Sequence, residues 1–87
     1  MYKKGDHIAF MSKQPHFHLN EMFGHNHLTV DDYEKEEYVG IILSVIGNGI
    51  YTAKTISPLK GFFCIVSDDD ILRPIDISEL SLLNTDY

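Results

Sequence analysis

The sequence predicts a mainly β fold built on a compact antiparallel sheet, and three observations carry that prediction. Between Tyr38 and Ile75 stand three apolar, β-branched runs: Val39 to Ile46, Ile50 to Ile56, and Phe62 to Val66. Turn chemistry separates them, first Gly47-Asn48-Gly49, then Ser57-Pro58 with Lys60-Gly61. A single cysteine in 87 residues rules out an intramolecular disulfide, so packing alone must hold the fold.

The elements follow in order. Lys4 to Met11 reads as the first strand, entered through the Gly5-Asp6 turn, with Ile8 and Phe10 inward and His7 and Ala9 on the other side. Ser12 to Glu37 differs in kind, holding Pro15, Asn20, Gly24, Asn26 and four histidines but few β-branched residues. Its first part, to Leu28, reads as a long loop. Its second part offers a short helix start, with Thr29 as cap and Asp32 three residues on in a capping-box arrangement. Tyr38 to Ile46 is the central strand, and its near-continuous apolar run predicts burial on both faces. Ile50 to Ile56 alternates and should be half exposed. Phe62 to Val66 is the next strand, Asp68-Asp69-Asp70 a tight acidic turn, and Ile71 to Ile75 a return strand that Pro74 places at an edge or a strand end. Asp76-Ile77-Ser78-Glu79 can cap a last helix over Glu79 to Leu83, while the alternation of Leu80 and Leu82 suits a strand instead.

Length and charge bound what the chain can do. At this size it forms one domain, 1–87, with a single small core. A lone cysteine suits a reducing, cytoplasmic setting. No apolar run approaches a membrane span, and the charged start lacks the apolar core of a signal peptide. The net charge of −6 disfavours nucleic-acid binding through phosphates, because the seven basic residues are scattered. The acids are grouped, with Asp31, Asp32, Glu34, Glu36 and Glu37 in one cluster and Asp68 to Asp70 in another.

Lys4-Gly5-Asp6-His7-Ile8-Ala9-Phe10, Tyr38-Val39-Gly40-Ile41-Ile42 and Phe63-Cys64-Ile65-Val66-Ser67-Asp68-Asp69-Asp70-Ile71-Leu72-Arg73-Pro74 together resemble the SH3-like small β-barrels. The resemblance is to the superfamily, through a "GD-x-apolar" opening strand, a "G-x-apolar" bent strand and a "V-x-acid-acid-x-L-x-P" exit. It implies a small SH3-like antiparallel barrel of about five strands over 4–11 and 38–75, with a long loop or short helix insert after strand 1 (12–37) and a tail at 76–87. It also implies an interaction module and not an enzyme. The insert stands where such barrels carry their first long loop, part of the cleft in peptide-binding members. The chain has no tryptophan, which the proline-rich peptide groove of those members normally uses.

The sharpest local chemistry is His16-x-His18 followed by His25-x-His27. Neutral imidazoles in two such pairs could wrap zinc or another divalent transition metal, with Glu21, Asp31 or Asp32 completing the shell; no other cofactor motif is present. In extended chain each pair would share a face. The same histidines make the segment a candidate pH-responsive element. Cys64, centred in an apolar run, reads as a core residue, and no serine has a nucleophile setting. Aromatic residues exceed what a tiny core needs: Tyr2, Phe17, Phe23, Tyr33, Tyr38, Tyr51 and Tyr87.

The favoured function is therefore a small acidic protein-interaction module that binds a partner protein through the 12–37 insert and the adjacent acidic surface. Phe17, Met22, Phe23 and Tyr33 are the expected anchors, and Asp31, Asp32 and Glu34 the expected charged contacts for a basic partner. The alternatives are a metal- or pH-responsive protein using His16, His18, His25 and His27, and a nucleic-acid-binding barrel. Exposed strand edges and surplus aromatics also suit homo-oligomerisation.

Overall fold

The computed structural model describes residues 2–24, 27–76 and 78–80. It is mainly β. Strand β1 (His7–Ser12) leads into helix α1 (Gln14–Met22) and a 3₁₀ turn at Val30–Asp32. The meander β2 (Glu36–Gly47), β3 (Ile50–Ser57) and β4 (Phe63–Ser67) follows, then a 3₁₀ turn at Asp68–Asp70 and β5 (Ile71–Pro74). All five strands form one antiparallel sheet in the order β4-β3-β2-β1-β5. The strand number is as expected, but the barrel is not closed, because β4 and β5 are the two edges and do not pair. Among the described residues no helix is long and apolar enough to cross a membrane.

Alternation along β2, β3 and β4 sends Tyr38, Ile42, Tyr51, Ala53, Cys64 and Val66 to one face, where they meet Ile8 and Phe10. Each of the largest of these contributes on the order of 1.5–3 kcal/mol by leaving water. Tyr38 and Tyr51, expected among the surplus aromatics, are the largest fully buried side chains. A tyrosine can sit there because its hydroxyl has a partner. The Tyr51 hydroxyl donates to Asp68 at 2.8 Å, and the Tyr38 hydroxyl donates to Glu36 at 3.3 Å.

Strand β2 is central, but it is buried on one face only: Tyr38, Gly40 and Ile42 are buried, while Ile41 and Leu43 are half exposed. On the other face Leu43 is not packed into the core but lines an open hollow shared with α1 and the Val30 turn. At Gly40 the sheet bends so tightly that a Cβ would lie 2.7 Å from the Lys54 carbonyl oxygen and 3.0 Å from Phe10 Cε1. At Leu43 the register slips, since Ile42 pairs with Ala53 but Ser44 pairs with Thr52. The Asn48-Gly49 turn joins β2 to β3, with Gly49 supplying positive φ.

The stretch expected to be loop contains α1. Ser12 Oγ accepts the Gln14 N–H at 3.1 Å, and Pro15 occupies the first turn, where its missing N–H costs nothing. Gly24, at φ +68°, ends it. The expected short helix start at Thr29 is one 3₁₀ turn, in which Asp32 accepts the Thr29 N–H at 2.9 Å and its hydroxyl at 3.1 Å. Beyond Pro74, the Asp76 carboxylate accepts the Glu79 N–H at 3.0 Å as residues 78–80 turn helical. The rest of that expected helix or strand, from residue 81, lies outside the described residues, as does Tyr87.

Candidate interaction groove

Helix α1 lies against β4. The Gln14 side-chain oxygen accepts the Ile65 N–H at 3.0 Å, joining positions 51 residues apart. Beside that bond opens an apolar groove of about 590 Å³, walled by Gln14 and Phe17 of α1, Val30 of the 3₁₀ turn, Leu43 of β2, and Phe63 and Ile65 of β4. Phe63 is 64% exposed and Ile65 60% exposed, although they alternate with the buried Cys64 and Val66. The Lys54 ammonium lies 5.6 Å from the centre of the Phe63 ring.

The sequence-predicted anchors divide. Phe17 lines the groove and packs edge-to-face with Tyr33 at 5.7 Å and with His18 at 5.4 Å. Met22 reaches an adjoining hollow with Lys60 and Phe63. Phe23 is exposed beyond the end of α1 and lines neither hollow. Asp31 and Asp32 follow Val30 on the 3₁₀ turn, and with Glu34 they are exposed, although Asp32 already serves as a cap. The Lys13 ammonium donates to the Asp31 backbone oxygen at 3.4 Å.

His16 and His18 do not share a face as the extended-chain reading required. His16 and His18 lie on a helix, where residues two apart point about 200° away from each other. His16 Nδ1 is 3.2 Å from Glu36 and His18 Nδ1 is 3.6 Å from Glu21. His27 is exposed, and His25 lies outside the described residues. Among the described residues no group of three or more His, Cys, Asp or Glu side chains could hold a metal ion.

His16 instead belongs to a small network. The Glu36 carboxylate it faces also accepts the Tyr38 hydroxyl, and the His16 ring stands edge-on to Tyr33 at 5.3 Å. Burial, reinforced by the neighbouring Glu36 charge, pushes the Tyr38 phenol up to about 12. Burial likewise pushes the Cys64 thiol up to about 11, which makes it a poor nucleophile.

Sequence reasoning missed Leu43, Phe63 and Ile65 as surface. The period-two alternation was there, but both faces of Phe62-Phe63-Cys64-Ile65-Val66 are apolar, so no polar residue marked the solvent side. No family model, no curated protein and no solved structure matches the chain.

Proposed function

We propose that this chain is a protein-interaction module whose groove between α1 and β4 receives an apolar segment of a partner protein. The observation that carries the reading is the exposure of Phe63 and Ile65 along an open apolar hollow. Large side chains left in water beside a concave surface lose free energy that a docked apolar segment recovers. Asp31, Asp32 and Glu34 give the nearby surface negative charge, and the whole chain carries −6, so lysines or arginines flanking the apolar segment speed encounter and fix orientation. The resemblance to SH3-like interaction modules supports the same class.

The test is selection from a random-peptide library on the immobilised full chain, followed by titration of the enriched peptides. The expected peptides carry two or three apolar residues with flanking Lys or Arg. Ile65→Asp should weaken them by about 30-fold, as loss of a central anchor does. Asp31→Lys with Glu34→Lys should weaken them less and flatten the salt dependence. Circular dichroism checks that each variant is folded. Failure to enrich any peptide class, or unchanged binding by folded Ile65→Asp, would remove the reading.

A further inference from the structure

We infer that β4 is a self-pairing edge, and that two copies of this chain join through it into one continuous antiparallel sheet. The two edges of the sheet are guarded unequally. Strand β5 is four residues long, ends in Pro74, and carries Arg73 paired with Glu79 at 2.8 Å. Strand β4 holds no charge, proline or glycine from Phe63 to Ser67. Thr55 N–H donates to the Phe62 carbonyl and Asp68 N–H donates to the Gly49 carbonyl, so the even-numbered residues bond inward to the meander. The outward backbone groups therefore belong to Phe63, Ile65 and Ser67. Among the described residues the Gln14 amide is the one side chain bonded to them, at Ile65 N–H. It stands where a neighbouring strand would place a carbonyl.

The occupant is a second copy because the charges at the two ends of β4 are complementary. Lys60 precedes the strand and Asp68 to Asp70 follow it directly. A two-fold axis at Ile65 pairs Ile65 with Ile65 of the second copy and Phe63 with Ser67 of the second copy. That register sets Lys60 of each copy opposite Asp70 of the other, with Asp69 one residue nearer the axis, and Asp70 is already held by Lys35 at 2.6 Å. Among the described residues neither Lys60 nor Asp69 has an ion-pair partner. Pairing replaces the Gln14 amide by backbone bonds and frees that side chain to water. It goes beyond the binding of a partner on the groove, and it would set two grooves side by side.

Sedimentation equilibrium on the full chain tests it. The wild type should dimerise reversibly. Lys60→Glu sets like charges together at both ends, as does Asp69→Lys, and each should raise the dissociation constant about tenfold. An equimolar mixture of the two variants restores opposite charges at both ends and should dimerise like the wild type. A wild type still monomeric at about 1 mM overturns the inference. So does a dimer that the variants leave unchanged, or one that mixing does not restore, because pairing would then run through another surface or partner. Peptide titration of a monomeric variant tells failure of the dimer from failure of the groove.

Discussion

Gly40→Ala puts the tightest point of the sheet to the test. The added methyl meets the Lys54 carbonyl oxygen at 2.7 Å and Phe10 Cε1 at 3.0 Å. The first neighbour is backbone, which no rotamer change can move, and the second belongs to a ring with no exposed area. Relief requires β2 and β3 to separate locally, and overpacking of this kind costs about 3 kcal/mol. A chain of 87 residues has roughly 4–13 kcal/mol in total. At about 4–8 °C per kcal/mol, the melting temperature should fall by about 12–24 °C. The matched control is Gly47→Ala in the same strand, where the nearest atoms are 3.9 Å away. That variant should be neutral or slightly stabilised, since alanine restricts the unfolded chain. Thermal and urea unfolding followed by circular dichroism give both numbers. Gly40→Ala melting within about 3 °C of Gly47→Ala would refute the packing argument, since one predicted kilocalorie already moves the midpoint further than that.

Other outcomes follow from the polar groups the core encloses. Thr55 is buried, and its Oγ1 accepts the Phe62 N–H at 2.9 Å. Thr55→Val keeps the volume but orphans that donor, and urea unfolding should show a loss of about 1–3 kcal/mol. Alkaline stability should fall because Cys64 and Tyr38 have raised values, about 11 and about 12, against ordinary values of 9.0 and 10.0. In the pH window between those pairs the unfolded chain has released protons that the folded chain still holds, so stability falls as pH rises. Urea midpoints should be flat in this respect below about pH 8 and drop between about pH 9 and 12; a midpoint rising with pH there would reverse the argument.

The sheet was legible where residues admit few conformations. Asn48-Gly49 turns the chain between β2 and β3, Asp68 to Asp70 turns it before β5, and Pro74 ends an edge strand, all as their chemistry dictates. Helix α1 was not legible because His16, His18, Asn20 and Glu21 interrupt any apolar stripe, and Pro15 reads as a breaker until its place in the first turn is known. The helix owes its start to the local bond between Ser12 and the Gln14 N–H, and its position to the reach of Gln14 across to β4, a contact 51 residues apart that no local pattern marks. The groove was half legible. Phe17 and Met22 were singled out, but their opposite wall on β4 lies in a run whose two faces look alike.

The pairing of β1 with both β2 and β5 has a consequence for the chain as it is made. Residues His7 to Ser12 meet one neighbour early, but the other begins only at Ile71. At about 5–20 residues per second, a ribosome takes several seconds to supply it. Through that interval the side of β1 that β5 will cover waits unpaired beside the apolar residues Ile8 and Phe10. Until then the nascent chain offers an unpaired strand edge at Ile8 to Phe10, and a translational pause between β4 and β5 would prolong that exposure.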